Sequence, residues 1–191
     1  MDLLLFSADT KLIRACGDQL DGVVIDWERH DKVARQFGAD TQITTDTYSD
    51  LALVRSQYDG PLLVRLDGSA ARLESELELA VHGGADEVLI PMVSSPFEVE
   101  RVLEVENGRL VVSVMIETAD AVGQADEFAT LPIRRAFVGL NDLAIARQSA
   151  SVFDAVLDGT IESVRQPFNR PLGFGGLTDP TPVGRFPHAY C

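Results

Sequence analysis

The sequence predicts an α/β fold of the (β/α)8 TIM-barrel type that lacks its eighth strand within this chain. Seven short apolar runs alternate with amphipathic stretches, and several of these runs are apolar at almost every position. Strands of a parallel sheet show this pattern because helices cover the sheet and bury both faces. A complete barrel of this type has about 250 residues, whereas this chain has 191. We expect residues 1–191 to form a single barrel domain.

The predicted strands follow one another at intervals that leave room for helices between them. In chain order they cover residues 3–6, 23–27, 62–66, 88–90, 110–116, 136–140 and 172–175. No eighth apolar run follows, and residues 179–191 are rich in proline and glycine, which predicts an irregular and truncated end. A gap between the first and seventh strands would leave unpaired backbone groups at both edges. Something must cover that gap, or the isolated chain is unstable.

Helical patterns lie between the predicted strands. Apolar residues share one face over residues 71–81, and the glycines at 83–84 should end that helix. The Ser95–Pro96 pair is typical of a helix start, and another helix is predicted over residues 46–54. The longest stretch without a regular pattern covers residues 28–45. Loops of that length in compact domains are often functional.

Composition limits the partners of this protein. Thirty acidic and sixteen basic residues give a formal net charge of -14, which repels a phosphate backbone and argues against nucleic-acid binding. No apolar run is long enough to span a bilayer, and the first residues lack the features of a signal peptide. We therefore expect a cytoplasmic protein without a membrane partner. The two cysteines, Cys16 and Cys191, indicate neither a disulfide framework nor a structural zinc site.

Two carboxylates, Glu117 and Asp142, come directly after or close behind the fifth and sixth predicted strands. Neighbouring parallel strands lie about 4.8 Å apart, and their carboxyl ends meet at one edge of the sheet, so both carboxylates could reach one cation. Two oxygen ligands suit Mg2+ or Mn2+, which often takes its remaining ligands from water or substrate. A cation there could accept the carboxylate and keto oxygens of a 2-keto acid and stabilise an enolate.

Three charged residues end the second and third predicted strands. Arg65 must meet an anion, and its planar guanidinium suits a carboxylate. Asp26 and Glu28 share one face of an extended segment and, as catalytic candidates with Arg65, could hold Arg65, a water ligand of the metal or an acid/base group. Carboxylates at strand ends also serve as helix caps or as partners of arginine. This is the alternative interpretation for the proposed metal ligands Glu117 and Asp142, and for Asp26 as a partner of Arg65.

Short motifs follow one another along the chain: LFSAD (5–9), VVIDWE (23–28), GADEVLIPMV (84–93), MIET (115–118), VGLNDLA (138–144) and GFGGLT (173–178). Their order resembles the HpcH/HpaI aldolase and citrate lyase β-subunit family. The resemblance implies a barrel of the phosphoenolpyruvate/pyruvate type, Mg2+ or Mn2+ bound by Glu117 and Asp142, and a substrate oxygen met by Arg65. It also implies a homo-oligomer, commonly a trimer or hexamer. Further candidates for substrate binding are Gly139, Leu140 and Asn141.

The chain departs from the aldolases of that family at two positions. Arg29 follows Glu28 where those aldolases usually have His, with His30 one place later, and Met115 stands where they often have Gln. The acid/base group is therefore not assigned. The predicted function is a divalent-metal-dependent carbon-carbon lyase acting on a 2-keto acid such as pyruvate. The alternatives are a citrate-lyase-like acyl-CoA lyase and a truncated non-catalytic subunit or remnant.

Overall fold

A computed structural model describes residues 2–35 and 44–176. In this part of the chain, seven parallel strands form one sheet in which each strand pairs with the next along the chain. The sheet curls into an open half-barrel of the TIM type without a closing strand, which confirms the predicted fold class. The predicted irregular end at residues 179–191 lies outside the described residues. The strands are β1 (Leu4–Phe6), β2 (Gly22–Asp26), β3 (Leu62–Arg65), β4 (Glu87–Ile90), β5 (Val111–Ile116), β6 (Ala136–Gly139) and β7 (Leu172–Gly175).

Helices connect the strands, as right-handed parallel crossovers require. None of the helices in residues 2–35 and 44–176 has the length and apolar character needed to cross a membrane. A 3-10 turn at Gly17–Gln19 follows the first helix. The helices are α1 (Thr10–Cys16), α2 (Lys32–Arg35), α3 (Tyr48–Arg55), α4 (Leu73–His82), α5 (Pro96–Glu106), α6 (Ala119–Gly123), α7 (Ala125–Thr130), α8 (Leu140–Arg147), α9 (Asp154–Leu157) and α10 (Thr160–Arg165).

Alternation along the strands separates the two faces of the sheet. Val23, Ile25 and Ile116 belong to the continuous apolar core between sheet and helices. The residues between them, such as Val24 and Met115, are also buried but point to the opposite, concave face. Asp26, Arg65 and Glu117 each lie two residues after a concave-face residue, namely Val24, Leu63 and Met115. Because side chains two residues apart share a face of a strand, all three charged side chains point into the half-barrel.

At the amino ends of the strands, a separate ionic cluster lies on the same concave side. Glu87, the first residue of β4, accepts hydrogen bonds from the Ser113 hydroxyl and, at 2.9 Å, from the Arg135 guanidinium. Both Glu87 and Arg135 are buried. In parallel barrels, catalytic groups are found at the carboxyl ends of the strands and the opposite end serves stability. We assign this cluster to packing of the sheet.

The predicted helix over residues 46–54 begins two residues later than expected. Its start is set by the Asp50 carboxylate, which accepts hydrogen bonds from the Thr47 backbone amide and hydroxyl. Asp46, the expected first residue, accepts a hydrogen bond from the Asp26 backbone amide instead. Likewise, the helix predicted over 71–81 is α4, which begins two residues later and ends one residue later.

Two further expectations need correction. Leu140 was expected to end the sixth strand, but β6 ends at Gly139 and Leu140 is the first residue of α8, with its side chain packed into the core. Residues 28–45 were expected to be irregular, but Lys32–Arg35 form the short helix α2. Residues 36–43 of that stretch lie outside the described residues. Both corrections change where charged groups sit at the carboxyl edge of the sheet.

Candidate active site

The site is built around a bidentate ion pair between β2 and β3. Asp26 and Arg65 are register partners on these neighbouring strands, so their side chains leave the sheet side by side. Arg65 Nε lies 2.8 Å from Asp26 Oδ1, and Arg65 Nη2 lies 2.7 Å from Oδ2. Burial alone would raise the pKa of Asp26, but Arg65 and Lys32 lower that pKa well below its usual range. Asp26 is therefore ionised at neutral pH and fixes the guanidinium in one orientation.

An aromatic ring of β1 supports the same guanidinium. The Arg65 carbon Cζ lies 5.2 Å from the centroid of the Phe6 ring, within the distance of a cation-π contact. Phe6 pairs in register with Val24 and therefore faces the concave side of the sheet. Arg65 is thus held by a carboxylate on one side and by an aromatic face on another.

Glu28 adds a second carboxylate, and α2 brings a buried lysine onto both. Lys32 Nζ lies 2.9 Å from Asp26 Oδ2 and 3.3 Å from Glu28 Oε2, and the lysine is only 2% exposed. Glu28 Oε2 also lies 3.2 Å from Arg65 Nη1, although this oxygen has no contact with hydrogen-bond geometry in the described part of the chain. Lys32 and Arg65 therefore neutralise the Asp26 and Glu28 carboxylates together.

Arg35 connects this group to the far side of the half-barrel. Arg35 Nη2 lies 2.6 Å from Glu28 Oε1, and Arg35 Nε lies 3.2 Å from Asp142 Oδ1. Burial would lower the pKa of Arg35, but Asp142 and Glu28 raise that pKa above its ordinary value. The guanidinium is therefore charged, and it bridges a carboxylate that follows β2 to a carboxylate of α8.

The segment that carries Lys32 and Arg35 is tied down at both described ends. The buried Asp67 carboxylate accepts hydrogen bonds of 2.9 Å from the backbone amides of Arg29 and His30. The Arg29 guanidinium donates to the backbone carbonyls of Thr45 and Asp46, at 3.0 and 2.9 Å. These contacts fix Arg29 and His30 to Asp67, which follows β3, and connect Arg29 to residues 45–46.

Glu117 is a buried carboxylate whose negative charge is only partly compensated by its described neighbours. It lies just beyond β5, is 1% exposed, and its Oε1 accepts a 2.9 Å hydrogen bond from the Met92 backbone amide. Burial raises the pKa of Glu117 to about 7; Arg65 opposes this shift, while Glu28 and Asp142 add to it by repulsion. The structure thus places a carboxylate inside the site that is only partly ionised at neutral pH.

Gly139 makes room for that carboxylate. A Cβ atom at this position would lie 2.0 Å from Glu117 Oε2 and 2.8 Å from the Glu117 Cβ. The backbone of Gly139 has φ of -81°, which any residue can adopt, so the requirement is for space and not for conformation. Leu140 could meet a substrate only through its backbone, because its side chain is 2% exposed and packed in the core. Asn141 is half-buried beside it.

The donor set fits a small divalent cation that is held by few protein ligands. In residues 2–35 and 44–176, no group of three or more His, Cys, Asp or Glu side chains is arranged to hold a metal ion. Glu117 and Asp142 offer two carboxylates behind neighbouring strands, and Mg2+ commonly binds one or two carboxylates and completes its shell with water or substrate. Arg65 and the Met92 amide compensate the buried charge of Glu117 only in part, and a cation would relieve the remainder.

The structure brings Asp26, Glu28, Arg65, Glu117 and Asp142 together at the carboxyl edge of the sheet, through direct contacts and shared electrostatics. The roles assigned to them stay predictions.

Sequence reasoning missed Lys32, Arg35 and Asp67. One signal was present in the sequence. Lys32 and Arg35 follow Glu28 by four and seven residues, and residues at these spacings lie on one face of a helix. His30, by contrast, is exposed with 57% of its side chain accessible and pairs with Asp31.

Comparison with known protein families identifies the class of this protein. The family described as HpcH/HpaI aldolase/citrate lyase matches residues 3–164. The chain therefore belongs to the HpcH/HpaI aldolase/citrate lyase family, as the motif order predicted. Membership supports a lyase or aldolase function at that general level. Comparison with curated proteins gives no match.

Solved structures similar to this chain share its fold at low sequence identity. RipC from Yersinia pestis has a TM-score of 0.63 at 16% identity, covering 94% of this chain and 78% of its own. Macrophomate synthase has a TM-score of 0.54 at 14% identity, with coverages of 91% and 78%. A mutant tryptophan synthase α-subunit from Pyrococcus furiosus has a TM-score of 0.62 at 8% identity, with coverages of 91% and 76%. At these identities the likeness establishes the fold alone.

Proposed function

We propose that this protein is a divalent-metal-dependent carbon-carbon lyase that acts on a 2-keto acid such as pyruvate, with Mg2+ or Mn2+ held by Glu117 and Asp142. Family membership supports the general class of reaction. The observation that carries the finer proposal is Glu117, a buried carboxylate whose pKa is raised to about 7 by burial and by its acidic neighbours. A cation beside Glu117 would remove that unfavourable burial of charge.

The charge balance of the site fits a divalent cation together with a monoanionic substrate. If every group is ionised, four carboxylates face three cations and leave one excess negative charge. A divalent cation reverses this to one excess positive charge, which a single substrate carboxylate neutralises. Buried charges are tolerated only when they are compensated in this way. The groups counted are the buried carboxylates Asp26, Glu28, Glu117 and Asp142 and the cations Lys32, Arg35 and Arg65. The half-buried Asp46, which interacts with Asp26 and Lys32 at the edge of the cluster, is not counted.

Arg65 is the proposed substrate-binding residue. A guanidinium has five N–H donors, and contacts to Asp26 and Glu28 engage three nitrogens of Arg65. Within the described residues, the contacts of Arg65 that have hydrogen-bond geometry go to Asp26 alone, through Nε and Nη2, so the N–H groups of Nη1 are the ones proposed to bind a substrate carboxylate or keto oxygen. Because Asp26 and the Phe6 ring fix the guanidinium before substrate arrives, little side-chain entropy is lost on binding.

When bound, the cation would act as a Lewis acid that stabilises negative charge on the substrate keto oxygen. The chain itself would contribute orientation and the exclusion of water. Arg65 would hold the substrate, Asp26 and Lys32 would keep Arg65 in place, and Gly139 would let the backbone of β6 come close to the reacting group. The hypothesis gives Asp26 and Glu28 a positioning role and leaves the proton-transfer group unassigned.

We further propose that residues 1–191 act as one domain within a homo-oligomer, a trimer or hexamer, because members of the family often oligomerise. Light scattering coupled to size-exclusion chromatography would give the mass of the assembly. A compact monomer would contradict this part of the proposal.

The formation of an enolate can be tested without knowing the second substrate. Pyruvate in deuterated water should exchange its methyl protons when the protein and Mg2+ are both present, which proton NMR follows directly. The Glu117→Gln variant should lose this exchange. Glu100→Gln is the matched control, because Glu100 is an exposed residue of α5 and undergoes the same change of charge.

The same assay separates the acyl-CoA alternative. Exchange of the acetyl protons of acetyl-CoA, with none for pyruvate, would favour a citrate-lyase-like reaction at this site. Exchange of neither compound by a folded chain, or exchange that the Glu117→Gln variant retains, would contradict the proposed function.

A further inference from the structure

The helix α2 places a cation on one of the two proposed metal ligands. Arg35 Nε lies 3.2 Å from Asp142 Oδ1 and its Nη2 lies 2.6 Å from Glu28 Oε1. Asp142 is buried, and Arg35 is largely screened from water. The contact joins residues 107 positions apart in sequence. Asp142 therefore already has a positively charged partner where the proposed function requires a second one.

Arg35 is held in this position by its own segment. Its Nη1 donates a 3.0 Å hydrogen bond to the His30 backbone carbonyl, and its backbone amide donates to the carbonyl of Asp31 at 2.8 Å. Asp67 anchors the amides of Arg29 and His30 at the start of the same segment. The guanidinium is thus presented to Asp142 by a fixed backbone and does not reach it as a freely moving surface side chain.

We propose that Arg35 is a built-in counter-ion that competes with the divalent cation for Asp142, so that metal binding breaks the Arg35–Asp142 ion pair. The inference rests on the proposed function, because it takes Glu117 and Asp142 as the metal ligands. The physical reason is the repulsion between a divalent cation and a guanidinium that share one carboxylate in a buried site, where screening is weak. Glu28, which also binds Arg35, keeps the displaced guanidinium within the site.

Lys32 does not compete in this way. Its ammonium contacts Asp26 and Glu28, neither of which is a proposed metal ligand. Arg65 acts on Glu117 only through its charge, without a described hydrogen bond or ion pair to it. Among these three cations, Arg35 is therefore the one with a described ion pair to a proposed metal ligand. This difference makes the proposal specific to one side chain.

The test is calorimetric titration of Mn2+ alone into the full chain and into variants. Arg35→Gln should bind Mn2+ at least about fivefold more tightly than wild type. A change in affinity of about fivefold is the lower end of the typical range for two coupled binding events. Arg35→Lys, which keeps the charge, should remain within about twofold of wild type. Arg101→Gln is the control for net charge, because Arg101 is exposed on α5 and pairs only with Glu104 in the described residues; its affinity should not change.

The outcomes separate this inference from the proposed function. Suppose that wild type binds Mn2+ and Glu117→Gln does not, so that the metal site is correct. If Arg35→Gln then binds Mn2+ no more tightly than wild type does, Arg35 does not compete with the cation and this inference is wrong. If wild type fails to bind, or Glu117→Gln binds as well as wild type, the metal site itself is wrong and both proposals fall.

A second measurement remains decisive if Arg35→Gln does not fold. In 15N-labelled wild type, the Nε–H group of Arg35 should be protected from exchange by its bond to Asp142, and Mg2+ should remove that protection. Protection that Mg2+ leaves unchanged, at concentrations that saturate the site, would overturn the competition.

Discussion

Replacement of Glu117 by Gln should change how the stability of the metal-free protein depends on pH. The pKa of Glu117 is raised from its ordinary value of 4.5 to about 7 in the folded chain. Between these two values the folded protein holds a proton that the unfolded chain releases. Stability must therefore fall as pH rises from about 4.5 towards 7, and the whole penalty is present above pH 7.

The size of this effect follows from the two pKa values. One pKa unit corresponds to 1.36 kcal/mol, so the difference between 4.5 and about 7 amounts to roughly 3 kcal/mol of lost stability. A glutamine side chain cannot ionise, so the variant should lack this component. Because part of the penalty already develops below pH 5, the free energy of unfolding of the variant should fall by roughly 2.5 kcal/mol less than that of wild type between pH 5 and pH 8.

Urea denaturation followed by circular dichroism in the presence of a chelator gives both free energies. Glu76 also has a pKa raised to about 7 by burial, and it contributes a fall in the same direction to both proteins. The difference between wild type and the Glu117→Gln variant therefore isolates Glu117. Equal pH dependence of the two proteins, within about 1 kcal/mol, would refute the account of Glu117 as a buried carboxylate whose charge is only partly compensated.

Two further variants test the two ends of the sheet. Gly139→Ala should weaken Mn2+ binding at least about tenfold by displacing Glu117 and should cost about 1–3 kcal/mol of stability. The control is Gly175→Ala: Gly175 is the register partner of Gly139, and no described atom lies within 4 Å of a Cβ placed there. The control should change neither Mn2+ binding nor stability, and equal effects of the two variants would contradict this prediction. Arg135→Gln should lower the free energy of unfolding by roughly 3 kcal/mol because it leaves Glu87 buried without its closest cation, yet Mn2+ affinity, measured by calorimetry, should stay unchanged.

The strand ends were predictable because period and register leave few choices. A near-continuous apolar run that stops at a charged residue marks the carboxyl edge of a parallel sheet, and neighbouring strands in chain order bring Asp26 opposite Arg65. The same logic placed Glu117 and Asp142 behind β5 and β6. These positions depend on local pattern and on one topological rule, both of which can be read from a single sequence.

The cations from α2 could not be predicted by that logic. A four-residue helix carries too little periodicity to stand out from a polar stretch, and its position depends on long-range contacts. Asp67 lies 38 residues from Arg29 in sequence, and Asp142 lies 107 residues from Arg35. Such contacts arise only when the sheet has curled, so composition and spacing did not reveal them.

The most direct test of the central proposal is calorimetric titration of Mn2+ in the presence of oxalate, a stable mimic of the pyruvate enolate, into wild type and into Glu117→Gln. Binding that oxalate strengthens in wild type, and that the variant loses, is the predicted result. A folded wild-type chain that binds no Mn2+ with oxalate, or a variant that binds it equally well, would contradict an enolate site at Glu117 and Asp142.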